Sequence, residues 1–137
     1  MPRLPVVRDY MDLEVATLVP EMDILEAIDF LIGNHVTGAP VVDKAYRVIG
    51  ILTERDCLRL LALGHKGDVA AGTVGEFMSR NVVTLAPGTD IYYAAGLFLS
   101  HTFRRLPVVD GSRLVGAITR FDLLRALSLN HQLVRTA

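Results

Sequence analysis

An α/β fold built twice is the architecture that this sequence predicts. Three observations carry that prediction: an internal repeat, β-branched runs closed by proline, and apolar residues at helical spacing. Shifted by 67, residues 7–43 fall on 74–110, and shifted by 66, residues 47–61 fall on 113–127, with one residue fewer in the second turn. Twenty positions of 52 are then identical, among them Val7/Val74, Met11/Met78, Thr17/Thr84, Asp23/Asp90, Pro40/Pro107, Gly50/Gly116, Thr53/Thr119, Asp56/Asp122 and Arg59/Arg125. Chance at ordinary composition would supply about three or four.

Each copy reads as strand, helix, strand, strand, helix. Val15 to Leu18 and Val82 to Leu85 are β-branched runs closed by Pro20 and Pro87, and are expected as short strands. Asp23 and Asp90 follow as helix N-caps. Behind Asp23, Ile24, Ala27, Ile28, Leu31 and Ile32 make the stripe of a half-buried helix, and Ile91, Ala94, Ala95, Phe98 and Leu99 repeat it. Ala39 to Asp43 and Leu106 to Asp110 predict short buried strands, with Val48 to Leu52 and Leu114 to Ile118 at hairpin distance. The closing helices carry Leu58, Leu61 and Ala62, and Leu123, Leu124 and Leu127. The expected domains are residues 7–63 and 74–130, joined by a polar, glycine-rich linker over 64–73. One copy of about 55 residues is near the lower limit for an independent core, so the copies are expected to pack together.

Composition narrows the function classes. The 137 residues carry 14 Lys and Arg against 15 Asp and Glu, too balanced for an electrostatic grip on nucleic acid or an acidic membrane. Mean hydropathy is +0.38, high for so short a chain, and predicts that a partner subunit covers part of the surface, with a homodimer as the expected form. The longest apolar run, Tyr92 to Leu99, is far below a membrane span, and Met1 to Pro5 is too short and proline-broken for a signal sequence. With Cys57 as the single cysteine, a reducing, cytoplasmic home is expected.

The strongest local signal is Gly50-Ile51-Leu52-Thr53-Glu54-Arg55-Asp56, echoed by Gly116-Ala117-Ile118-Thr119-Arg120-Phe121-Asp122. Each puts a hydroxyl at a strand-to-helix junction and a carboxylate three residues on. Thr-x-x-Asp is close to a capping box, in which hydroxyl and acid satisfy the first backbone N–H groups of the helix. The same groups also suit a ligand: a helix N-terminus and a hydroxyl for phosphate, a carboxylate for ribose hydroxyls. The two readings are compatible.

The duplicated hydrophobic-Pro-Val-Val-Asp strand followed by Gly-x-hydrophobic-Thr-x-x-Asp resembles a tandem pair of CBS domains, the cystathionine β-synthase type, over nearly the whole chain. The resemblance implies two β-α-β-β-α repeats related by a pseudo-twofold axis, with inter-repeat clefts that bind AMP, ADP, ATP or S-adenosylmethionine as a regulatory ligand. It assigns ribose hydroxyls to Asp56 and Asp122, the phosphate side to Thr53 and Thr119, and adenine walls to Ala39-Pro40 and Leu106-Pro107 with Thr17 and Thr84. The copies differ before that proline. Arg104 and Arg105 precede Leu106, where Thr37 and Gly38 precede Ala39, so an anionic ligand group is expected to depend more on the second copy. Side chains alternate along a strand, so at most one of the two arginines is expected to reach the ligand. Arg55 and Arg120, following the threonines, are further candidates.

Little else carries chemistry. His35, His65, His101 and His131 lack metal-ligand spacing, and Cys57 has no local histidine to activate it. No Gly-rich phosphate loop or hydrolase signature is present, so no enzyme activity and no required cofactor are expected. The sequence therefore predicts an adenosine-ligand sensor acting in trans on an effector protein. The alternative is a ligand-free interaction or dimerisation module, in which Thr-x-x-Asp is only a cap.

Overall fold

The computed structural model describes residues 4–64 and 72–130. The first repeat contains α1 (Ile24–Gly33), the hairpin β1 (Gly38–Val42) and β2 (Val48–Thr53), and α2 (Glu54–Gly64). The second contains the short α3 (Val74–Phe77), then α4 (Ile91–Ser100), the hairpin β3 (Arg105–Asp110) and β4 (Arg113–Thr119), and α5 (Arg120–Leu129). A 3-10 turn over Val7–Asp9 occupies the position equivalent to α3. Neither of these two short pieces is marked by apolar periodicity, and the sequence reading does not include them. Residues 65–71 of the expected linker, and with them His65 and His131, lie outside the described residues.

The helix starts follow their predicted caps. Asp23 Oδ2 accepts the N–H groups of Leu25 and Glu26 at 3.1 and 3.2 Å, and Asp90 Oδ1 accepts that of Tyr93 at 2.9 Å. Both hairpins are antiparallel and share one register: Pro40 faces Ile51 and Val41 faces Gly50, as Pro107 faces Ala117 and Val108 faces Gly116. Each is bulged one step later, between Val41 and Val42 and between Val108 and Val109.

The leading strands expected at Val15–Leu18 and Val82–Leu85 shrink to single parallel bridges, Leu18 to Val41 and Leu85 to Val108. Leu18 N–H donates to the Pro40 carbonyl at 3.0 Å and Val42 N–H donates to the Leu18 carbonyl at 2.9 Å. One ladder step earlier, the donor toward Ala16 would be the nitrogen of Pro40. One step later it would be that of Pro20. Neither nitrogen carries hydrogen, so the ladder stops after one rung, and Pro107 and Pro87 impose the same limit in the second repeat.

The chain forms two compact units whose borders cut across the repeats. One unit runs continuously from Ala16 to Val82, and the other joins the segment up to Val15 to the chain from Val83 onward. The leading segments are thus exchanged. Val7, fully buried, sits in a core with Leu85, Ala94, Phe98, Leu106, Val108 and Ile118 of the second repeat. Val74, equally buried, joins Leu18, Ile24, Ala27, Val41 and Leu52 of the first. Main-chain bonds fix the exchange: Val7 N–H to the Thr89 carbonyl at 2.8 Å, and Val74 N–H to the Met22 carbonyl at 2.9 Å.

The exchanged segments also complete each sheet. Asp12 and Ala117 trade N–H···O bonds of 2.8 and 2.9 Å, and Ser79 and Ile51 trade two of 2.9 Å. The glycine of each Gly-x-hydrophobic-Thr motif makes room for this strand. A Cβ on Gly116 would lie 2.9 Å from the Asp12 carbonyl oxygen and 2.8 Å from Met11 Sδ, and one on Gly50 would meet Met78 Sδ and the Ser79 oxygen. No helix among the described residues is long and apolar enough to cross a membrane.

Candidate functional site

Both Thr-x-x-Asp pairs form reciprocal capping boxes where the second hairpin strand hands over to its helix. In the second repeat, Asp122 Oδ2 accepts from Thr119 N–H at 2.8 Å and Thr119 Oγ1 at 3.0 Å, while Asp122 N–H donates to Thr119 Oγ1 at 3.2 Å. Thr53 and Asp56 repeat the arrangement with distances of 2.9, 3.0 and 3.3 Å. An arginine one helical turn on completes each pair. Arg59 Nη2 donates to Asp56 Oδ1 at 2.8 Å, and Arg125 Nη2 donates to Asp122 Oδ1 at 3.3 Å. Asp56 is 5% exposed and is the buried charged residue of the described chain. Three of the roughly four acceptor positions of each carboxylate are filled.

Arg125 reaches further than its counterpart. The same Nη2 donates to the Tyr10 carbonyl at 3.1 Å, and Asn130 Nδ2 donates to Tyr10 Oη at 2.7 Å. The exchanged segment is thereby tied to α5, and the two elements border a cavity of about 480 Å³. Thr119, Asp122, Arg125 and Arg105 line it from the second repeat, and residues Tyr10 to Glu14 line it from the exchanged segment.

The two arginines separate because β3 begins at Arg105 and Arg104 stands before it. Arg105 is half-buried and faces the cavity, whereas Arg104 is exposed and outside its lining. Arg120 Nε and Nη2 both donate to the Phe103 carbonyl, at 3.1 and 2.8 Å. Arg55 is exposed on α2. Gly38 occupies the position of Arg105 in the first repeat, where a Cβ would lie 2.9 Å from the Leu52 carbonyl oxygen.

The expected adenine walls divide in the same way. Ala39 and Leu106 are 2% and 1% exposed and belong to the two cores, and Pro40 and Pro107 are buried beside them. Thr17 and Thr84 are half-buried. The sequence reading did not single out Arg125 or the segment Tyr10–Glu14. The identity of Arg59 with Arg125, three residues after the motif acid in both copies, was the available signal for the arginine. Nothing local marks Tyr10–Glu14, since its role comes from the exchange.

A separate recess of about 410 Å³ lies between Val19–Glu21 and the Asp43–Arg47 turn, and shares no lining residue with either cap. There Asp43 is held below the usual carboxylate range, first by the Arg47 N–H, against some desolvation, and then by the Arg47 guanidinium and the Ala45 N–H. Burial pushes the Cys57 thiol up, and the neighbouring Asp56 charge adds to it, which disfavours a nucleophilic thiolate. Among the described residues no cluster of three or more His, Cys, Asp or Glu could hold a metal ion.

The CBS domain model matches residues 7–63 and 74–129. The chain is 38% identical over 121 residues to protein MJ1225 of Methanocaldococcus jannaschii, covering 88% of this chain and 42% of that protein. It is 37% identical over 118 residues to the CBS domain-containing protein YhcV of Bacillus subtilis, covering 85% and 81%. Among solved structures, CBSX2 in complex with AMP superposes with a TM-score of 0.78 at 30% identity, covering 90% of this chain and 96% of that one. The CBS domain pair of MJ0100 in complex with 5′-methylthioadenosine and S-adenosyl-L-methionine gives 0.76 at 28%, covering 92% and 98%. With both repeats matched and the pair fold reproduced, this chain belongs to the CBS-domain family, as a tandem CBS pair.

Proposed function

We propose that the chain is a non-catalytic regulatory module that binds an adenosine-containing ligand at its Thr-x-x-Asp caps and signals in trans to an effector protein. One observation carries this: Arg105, Thr119, Asp122 and Arg125 converge on a single cavity of about 480 Å³. The one remaining acceptor position of Asp122 suits a ribose hydroxyl, and the half-buried guanidinium of Arg105 suits an anionic group. Thr53 and Asp56 offer the same cap without the arginine. The proposal extends to adenine contacts at Thr17 and Thr84, each beside its own repeat's buried Ala39-Pro40 or Leu106-Pro107, although none of the six lines this cavity. Related pairs solved with AMP, or with 5′-methylthioadenosine and S-adenosylmethionine, support the ligand class.

The test is calorimetric titration with AMP, ADP, ATP and S-adenosylmethionine of protein first checked by native mass spectrometry for a carried-over nucleotide. At least one ligand binds, and Asp122→Ala or Asp56→Ala weakens it tenfold or more. Absence of heat with all four ligands, from folded and ligand-free protein, overturns the reading.

The ligand-free alternative draws on a different observation. Helices α4 and α5 expose Tyr92, Leu99, Phe121 and Leu124 at 50%, 88%, 67% and 61%. Apolar area on this scale suits a second copy of the chain, and a homodimer is part of the proposal in either reading.

A further inference from the structure

The two caps are alike, but the residues around them differ in charge. The cavity at Asp122 is lined by Asp12 and Glu14 of the exchanged segment. The repeat places Ser79 and Asn81 at the equivalent positions beside Asp56, with the exposed Arg80 between them. At Asp122 the Arg125 guanidinium is already engaged by the carboxylate and the Tyr10 carbonyl. Arg105 makes no hydrogen bond or ion pair among the described residues, and shares the cavity lining with the exposed Asp12 and Glu14. Asp12 is held in place, with Oδ1 accepting the Glu14 N–H at 3.0 Å.

Resting on the reading of this cavity as an adenosine site, we propose that Asp12 and Glu14 are specificity-determining residues that reject polyphosphates there. They admit adenosine ligands whose 5′ substituent is neutral, zwitterionic or a single phosphate. One unpaired guanidinium offsets about half the charge of a single phosphate, which is close to −2 at neutral pH. Each further phosphate adds negative charge to a solvent-connected cavity bordered by these two exposed carboxylates, where the repulsion is worth about threefold in affinity per phosphate at low salt. A cationic or zwitterionic substituent meets the opposite field: its positive end faces Asp12 and Glu14 while a carboxylate faces Arg105. The first repeat has Ser79 and Asn81 in place of the two acids, Gly38 in place of Arg105 and Glu54 in place of Arg120, so this device belongs to the second repeat.

The test uses the full chain and titrates AMP, ADP, ATP and S-adenosylmethionine at low and high salt. Binding that Asp122→Ala removes is assigned to this cavity. The Asp12→Asn/Glu14→Gln double variant keeps the oxygen that accepts the Glu14 N–H and both side-chain sizes, so the fold and the Asx turn are retained. In the unaltered protein the Asp122-dependent affinity falls about threefold from AMP to ADP and again to ATP, and high salt compresses the series. The double variant flattens or reverses it and weakens S-adenosylmethionine. Asp122-dependent binding in which ATP equals or exceeds AMP, or an order that the double variant leaves unchanged, overturns this inference alone. Absence of any Asp122-dependent binding overturns it together with the assignment of the cavity.

Discussion

Two non-glycine residues occupy the left-handed backbone region, His35 at φ 55° and Tyr46 at φ 62°. His35 follows α1 in a Schellman closure: its own N–H donates to the Ile32 carbonyl and the Val36 N–H to the Leu31 carbonyl, each at 3.1 Å. A β-carbon in this conformation costs about 1–2 kcal/mol that glycine avoids, less the larger entropy glycine loses on folding. His35→Gly is therefore expected to raise the melting temperature by about 3 °C, read by calorimetry, with α1 unchanged by circular dichroism. A fall would show that the His35 side chain contributes contacts that outweigh its backbone strain. Tyr46 stands in the longer of the two hairpin turns. The shorter one uses Gly111 at φ 66°, so the second repeat already carries the residue its turn geometry favours.

At the scale of elements, the Gly-x-hydrophobic-Thr-x-x-Asp segment serves packing and capping together. Its glycine admits the exchanged strand, its threonine and acid start the helix, and both repeats do this with nearly the same distances. Gly116→Ala forces the Asp12 carbonyl away from Ala117 and is expected to destabilise the protein by about 1–3 kcal/mol, measured by denaturant titration. Because the displaced strand carries Asp12 and Glu14, the same variant should also narrow the difference in affinity between AMP and ATP, whereas an unchanged midpoint would mean that the strand shifts at no cost. The caps, hairpins and closing helices were legible because each rests on local spacing: Asp23 and Asp90 before apolar stripes, Thr three residues before Asp. The leading strands were overread, since β-branched composition at Val15–Leu18 does not reveal which donors Pro20 and Pro40 remove from the neighbouring ladder. The cavity was half legible. Thr119, Asp122 and Arg105 stand in the motifs, while Tyr10–Glu14 arrives through a partner that the repeat alignment equates with Phe77–Asn81 but cannot place.

For the whole molecule, the exchange of leading segments changes what covalent continuity is needed for. Val7 is a core residue of the unit built from the second repeat, and Val74 of the unit built from the first. The chain on either side of residues 65–71 therefore contributes to both units. Severing the backbone there leaves two pieces, each holding a buried valine and a paired strand of the other's unit. An engineered protease site between Gly64 and Gly72 is expected to be cut without separating the pieces in gel filtration, and to release them only in denaturant. Separation in native buffer would show that the exchanged strands are too weak to hold. The same exchange is expected to let two independently made polypeptides, split at this point, assemble into one protein.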